Sequence, residues 1–348
     1  MKQVTFWERL GSPRFISAPM VDQSSLPWRL FVKKNGADLA FSQMMHARNF
    51  MIDPNYRHDC IDWLDYNATR LPTVAPTLTH NREATALSSA TSTSTFFQSA
   101  FQSQIYSQYA SKSLEELTSE AKTLDQPLIA QLAGDDPDVL VKAGKFIHHQ
   151  VAAIDLNLGC PQKIARRGHY GAYLLPEKDL IVKLLTAMVN SLDCPITAKI
   201  RILPREEDTL ELVRAIEACG VSAITVHGRM ATASKLFVGP VNWQIIKKIK
   251  AQVSVPVIAN GGVACYADAL RCLEETNADA VMSSEALLEN PKLFSKAGDE
   301  SFRNDFVYSH LQTVRDFIAL TLSYPLPRPL NQVMLFNQVM LFFFVMLA

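Results

Sequence analysis

Apolar side chains gather along this chain in eight runs of strand length, at 15–20, 37–45, 127–134, 152–160, 195–202, 221–229, 255–262 and 278–284. Several are apolar at nearly every position. A strand with one wet face alternates apolar and polar residues, whereas a strand covered on both faces need not, so these runs predict a buried parallel sheet. The stretches between them mostly read as helices. Residues 137–149 (PDVLVKAGKFIHH) follow Asp135 and Asp136, a pair able to cap a helix by accepting from its unpaired N–H groups. Residues 209–218 (TLELVRAIEA) stop just before Gly220, which can take the left-handed backbone of a helix end. Strand-then-helix repeated eight times predicts an α/β fold of the (β/α)8 TIM-barrel class. An open dinucleotide-binding sheet would not need eight strands, and no GxGxxG follows the first run.

Two regions break the rhythm. Between the second and third runs, residues from about 69 to 126 read as an insertion, because 85–112 is dense in Ser, Thr, Gln and Ala with only a few aromatics. Near the C-terminus, 307–322 reads as a helix, and NQVMLF then occurs twice, at 331–336 and 337–342. The apolar stretch 333–348 is interrupted by Asn337 and Gln338 and is too short to predict a membrane span. The expected organisation is a barrel domain over 1–298, carrying the insertion, and a partial, truncated helical extension over 299–348.

Composition changes this picture little, and mostly by exclusion. The formal net charge is zero, so there is no global basic field, and any nucleic-acid contact must be a local patch. The six cysteines are scattered with no CxxC pair, which argues against a metal site. Residues 1–10 include Lys2, Glu8 and Arg9 and lack an apolar core, so no secretory leader is expected. Free thiols and no leader point to a reducing compartment, the cytoplasm or the nucleus, and a monomer without membrane attachment is expected.

In a TIM barrel chemistry is built where the strands end, at the C-terminal face. Here nearly every such end carries a polar or reactive group: Ala18-Pro19-Met20, Gln131, Asn157 with Cys160, Lys199 with Arg201, His227, Asn260-Gly261-Gly262, and Ser284-Glu285. Singly, each has a plain structural reading. A Cys before Pro packs as a small residue, a His is hydrogen-bonded in a core, and Asn-Gly-Gly is a turn. Lys199 inside an apolar run is harder to dismiss, since lysine is rarely buried without a partner. Together they suit flavin mononucleotide (FMN). A phosphate needs backbone N–H groups in a side-chain-free turn, which Gly261-Gly262 and Ser284-Glu285 can supply. Lys199 would neutralise negative charge on the reduced ring, Gln131 can both donate to and accept from its pyrimidine edge, and Met20 can pack against it.

With those residues in view, the chain resembles the tRNA-dihydrouridine synthase family, in its eukaryotic 16/17 branch. The resemblance is carried by APMVDQSSLPWR from Ala18, LNLGCPQKIARRGHYGAYL from Leu156, AKIR from Ala198, VHGR from Val226, IANGG from Ile258 and EALLENP from Glu285. It covers roughly 6–43 and 127–294, and the long block around Cys160 is its most specific part. The resemblance implies reduction of the C5–C6 double bond of uridine in tRNA, with FMN recharged by NADPH or NADH. By the same implication Cys160 is the acid that protonates C5, while Ala18, Pro19, Met20, Gln131, Lys199, His227, Asn260, Gly261, Gly262, Ser284 and Glu285 contact FMN. Asn157 and Arg201 would lie near the base, and Lys163, Arg166, Arg167 and His169 would form a phosphate-binding patch. The chain departs from the family at the insertion, at Met230-Ala231-Thr232-Ala233 after HGR, and in the tail beyond 322, where a helical tRNA-binding domain is expected. Two other readings stay open: an FMN barrel acting on a small molecule, like a dihydroorotate dehydrogenase, and a flavin- or tRNA-binding remnant without efficient turnover. The block from Leu156 favours RNA over the small molecule.

Overall fold

A computed structural model describes residues 4–61, 114–230 and 239–323. Eight parallel strands close on themselves in chain order: β1 Phe15–Ser17, β2 Leu39–His46, β3 Leu128–Ala133, β4 Ala153–Leu158, β5 Ile196–Ile202, β6 Ala223–Met230, β7 Val257–Asn260 and β8 Ala280–Ser283. Each falls within or against one of the eight apolar runs. The barrel shuts where β1 pairs with β8, Ser17 beside Ser283.

The two-residue period of a strand sorts this barrel into an inside and an outside. Ile154, Leu156 and Leu158 of β4, Ala198 and Ile200 of β5, and Ile224 and Val226 of β6 belong to the large core between sheet and helices. The alternate residues form a separate inner cluster, with Trp7, Ile16, Leu39, Phe41, Ile129, Ala153, Ala223, Ile258, Ala280 and Met282 packed together. Full burial of each large aliphatic side chain contributes about 1.5–3 kcal/mol, so this dry floor is a substantial part of the stability. Further along the strands the inner positions turn polar, at Gln131, Asp155, Thr197, Thr225 and Asn260.

The helices confirm the sequence pattern and shift its edges. The helix expected over 137–149 is Pro137–Ile147, and Asp136 is its cap, accepting from the N–H groups of Asp138 and Val139 at 3.0 and 3.2 Å. The one expected from 209 begins earlier, as Glu206–Ala218, because Glu206, Glu207 and Asp208 suit the positive end of a helix dipole. The helix read at 307–322 is Phe306–Ser323, and its Phe317 packs against Trp28 and Phe31 of the helix Leu26–Lys34. The low-complexity stretch 85–112, residues 231–238 of the segment after β6 and the NQVMLF repeat lie outside the described residues. Among those described, no helix is long and apolar enough to cross a membrane, and no cluster of metal-ligating side chains occurs.

One helix, Leu114–Asp125, falls inside the stretch read as an insertion. Its last residue carries a buried ion pair. Arg29, 1% exposed, donates from Nε and Nη2 to the Asp125 carboxylate, 0% exposed, at 2.7–3.1 Å, and from Nη1 to Ser24 O at 2.7 Å. Lys33 donates to the carbonyls of Asp125 and Pro127, just ahead of β3. Removing one partner of such a pair strands the other charge in the core. Asp125→Ala is therefore expected to lose about 3–5 kcal/mol in urea unfolding, and the double replacement Arg29→Met with Asp125→Leu to recover most of it. Equal stability of Asp125→Ala and the parent chain would contradict the assignment.

Candidate active site

The polar inner positions of β3, β4 and β5 meet in one hydrogen-bonded relay. Its orientation follows from its upper end. Asn157 Oδ1 accepts from the backbone N–H groups of Gly159 and Cys160, at 3.1 and 3.0 Å. A backbone N–H can only donate, so the Asn157 amide cannot turn over, and its Nδ2 must face Gln131 Oε1, at 2.7 Å. Gln131 Nε2 then points down and donates to Asp155 Oδ2 at 2.7 Å, while Thr197 Oγ1 donates to Asp155 Oδ1 at 2.7 Å. The Gln131 backbone N–H is held by Ser42 Oγ at 3.1 Å, at the register shift between β2 and β3. Burial pushes the Asp155 carboxyl up to about 6, against the pull of Gln131, Thr197 and Lys199, which favour its charge.

Lys199 stands beside Asn157 in the β4–β5 ladder and beside Thr225 in the β5–β6 ladder. Its Nζ donates to Asn260 Oδ1 at 2.9 Å, and Asn260 Nδ2 donates to Met282 O at 2.9 Å, so the lysine is tied to β7 and β8. Burial, reinforced by Arg201, lowers its ammonium to about 8, against the attraction of Asp155. His227 is pushed down to about 2 by burial first, then by Lys199, Arg201 and Arg229. It is therefore neutral. Arg229 Nη1 lies 3.3 Å from its Nε2, which must accept, leaving the proton on Nδ1.

Cys160 is half-buried, and burial raises its thiol above the ordinary value, so it is a protonated group at neutral pH. Arg201 Nε donates to Gly159 O at 2.9 Å and fixes the residue before it. Gly171, at φ +68°, passes so close that a Cβ there would sit 2.7 Å from Cys160 O, and Ala172 N–H donates to the same oxygen at 3.0 Å. Gly261 and Gly262 also have positive φ, and a Cβ on Gly261 would strike the His227 ring at 2.8 Å. Glycine there lets the turn after β7 close over His227.

The structure thus brings Gln131, Asn157, Cys160, Lys199, Arg201, His227, Asn260, Gly261 and Gly262 into one connected mouth. Ala18 sits in the inner cluster, and Met20, next to Pro19, packs in part on the outer core. Their loop is cinched by Ser24 Oγ, which accepts from Met20 N–H at 2.9 Å and donates to Ala18 O at 3.2 Å. Ser284 is partly buried and Glu285 exposed, at the start of the short helix Glu285–Glu289. Lys163, Arg166 and Arg167 are exposed on the short helix Lys163–Arg167. Asp155, Thr197, Ser24 and Gly171 were missed by sequence reasoning. For the first two the signal was present, as polar residues spaced by two inside apolar runs.

His169 differs from the phosphate-patch expectation. Its Nδ1 lies 3.0 Å from Asp135 Oδ2 and its Nε2 2.6 Å from Glu177 Oε1, so both ring nitrogens face carboxylates, and those two bonds raise its pKa. Only the imidazolium can donate to both. A folded pKa above the unfolded value of about 6.5 means this clamp is fully present below that value and is lost as pH rises through the folded pKa. Proteolysis within 160–171 is therefore expected to quicken as pH rises above about 6.5. In His169→Asn this dependence should be absent; parallel pH profiles for the two proteins would refute the clamp.

Comparison with known proteins bears on this mouth. The family model described as Dihydrouridine synthase (Dus) matches residues 101–323. The chain is 35% identical over 290 residues to the mouse (Mus musculus) protein called "tRNA-dihydrouridine(16/17) synthase [NAD(P)(+)]-like", covering 83% of this chain and 49% of that one. It is 30% identical over 319 residues to the tRNA-dihydrouridine(16/17) synthase of Schizosaccharomyces pombe, covering 90% of this chain and 66% of that one. For the Saccharomyces cerevisiae protein of the same description the figures are 33% over 291 residues, 83% and 56%. The chain therefore spans between about half and two thirds of the length of these relatives.

Proposed function

Because the chain belongs to the dihydrouridine synthase (Dus) family, we propose that its barrel mouth binds FMN, is recharged by NADPH or NADH, and reduces a uridine of tRNA to 5,6-dihydrouridine. One observation carries this reading: the half-buried Cys160 thiol stands at the end of the relay, on a backbone held by Asn157 and Arg201, in the same mouth as Lys199.

The donor set fits FMN. Lys199 has one acceptor among the described residues, Asn260 Oδ1, and so has donors to spare for an anionic ring edge. The N–H groups of Gly261, Gly262 and Ser284 donate to no acceptor among the described residues, and no Cβ shields the two glycines. They suit a phosphate after β7 and β8. Gln131, turned by Asp155 and Asn157, keeps one N–H and one lone pair for the ring.

When bound, FMN supplies the hydride that goes to uracil C6. The chain supplies the proton. Cys160 gives its thiol proton to C5, and the thiolate left behind is stabilised by Arg201 and Lys199, the two cations that already oppose the upward push of burial. Asn157 and the Arg201–Gly159 bond hold the Gly159–Cys160 backbone that carries the thiol. A base has to leave its stack to arrive here, and Lys163, Arg166 and Arg167 on the adjoining short helix offer charges to the flanking phosphates.

The test separates hydride from proton. Cys160→Ala is expected to bind FMN and to be reduced by NADPH as the parent chain is, yet to form dihydrouridine about 10²–10⁴-fold more slowly, the usual loss for a general acid. Mass spectrometry of tRNA nucleosides reads the product. Parent-rate turnover by this variant would remove Cys160 from the mechanism, and no product from the parent chain with FMN, NADPH and unmodified tRNA would overturn the function.

A further inference from the structure

Asp155 has no place in the chemistry above. It lies at the inner end of the relay, fully buried, two residues below Asn157 on β4. We infer that Asp155 is a positioning residue for Cys160: as the acceptor-only terminus of the relay it locks Gln131 in the one direction that meets Asn157, and through Asn157 it steadies the backbone that presents the thiol. The inference rests on the reading of Cys160 as the proton donor.

Two fixed N–H groups, of Gly159 and Cys160, sit at the upper end, and a group that only accepts sits at the lower end. Between them lie two amides, Asn157 and Gln131, each with one donating and one accepting side. Only one arrangement satisfies both ends, with Nδ2 of Asn157 toward Gln131 and Nε2 of Gln131 toward Asp155. With an apolar group at 155, Gln131 Nε2 loses its buried acceptor, so the amide that meets Asn157 is held from above only and the anchor of the loop slackens. Thr197 completes the carboxylate from β5, the strand that also carries Lys199 and Arg201, so the same acid registers the thiol strand against the cation strand.

This logic predicts a pattern that simple damage to a core would not give. Asp155→Asn can still accept from Gln131 through its oxygen and donate to the Thr197 hydroxyl, so the relay keeps its direction. Asn157→Asp breaks it: two carboxylates then compete for the one Gln131 amide, whose carbonyl must face one of them, and a carboxylate at 157 that turns away from that clash releases the Gly159 and Cys160 N–H groups. The double variant, Asp155→Asn with Asn157→Asp, is satisfied again with every amide reversed. Gln131 donates upward to position 157, and position 155 donates to Gln131 while accepting from Thr197.

The experiment is a double-mutant cycle on the full chain, read by hydrogen exchange at the Gly159 and Cys160 amides, which needs neither flavin nor tRNA. Exchange is expected to be about tenfold faster in Asn157→Asp and to return to within about threefold of the parent in Asp155→Asn and in the double variant. Turnover should follow at position 155 alone, lost from kcat in Asp155→Leu with the KM for tRNA unchanged and kept in Asp155→Asn; the variants at Asn157, which lies near the base, are read by exchange only. A double variant as unprotected as Asn157→Asp alone overturns the inference. If Asn157→Asp does not fold, a folded double variant is itself the rescue, and the pair Asp155→Leu and Asp155→Asn decides: fast exchange in the first alone supports the relay, equal protection in both overturns it. The exchange pattern without dihydrouridine from the parent chain leaves the relay standing and the proposed function refuted; dihydrouridine without the pattern does the reverse.

Discussion

A carboxylate inside a closed barrel has no water to turn to, so both of its oxygens must be answered by the protein. At Asp155 they are answered by Gln131 and Thr197, on the strands to either side. That requirement propagates outward. Through Gln131 it meets the direction that the Gly159 and Cys160 N–H groups impose on Asn157 from the other end. Buried polar groups are costly when half satisfied and rigid when fully satisfied. The relay from Asp155 to Cys160 is answered at every link, and on the inference above the thiol is steadied by an acid that takes no part in the reaction.

The rest of the fold supports this layer from below and from the side. Below it, the apolar cluster around Trp7 fills the barrel interior, so the polar layer rests on a dry floor. From the side, the Arg29–Asp125 pair reaches Ser24 O, and the Ser24 hydroxyl cinches the loop of Ala18, Pro19 and Met20. The helix Leu114–Asp125 is thereby joined through one buried guanidinium to a wall of the mouth. On the opposite wall, Gly171 and the His169 clamp press the loop that follows Cys160 back against the barrel.

Much of this was legible in the chain. Strands buried on both faces betray themselves as apolar runs, and all eight were visible. Polar residues at strand ends marked Cys160, Lys199, Arg201, His227 and Asn260, because a TIM barrel gathers such ends on one face. What escaped was whatever depends on partners remote in sequence. Asp155 is one acid in an apolar run, and nothing local says that Gln131 and Thr197 close on it. The same holds for Asp125, whose partner Arg29 lies 96 residues away. His169 was read with its basic neighbours as a phosphate ligand, since charge in a loop looks solvated until Asp135 and Glu177 are seen on either side. Gly171 carried no signal, as its need for a bare α-carbon arises only from the approach of Cys160.

On the function proposed above, this polar layer holds flavin and Lys199 is its cation. The most direct measurement is a fluorescence titration of FMN with the full chain, the parent and Lys199→Met side by side. Saturable quenching is expected at one FMN per chain in the parent, with at least about tenfold weaker binding, some 1.4 kcal/mol, in the variant. No saturable binding by the parent chain, or equal affinity in the two, would contradict it.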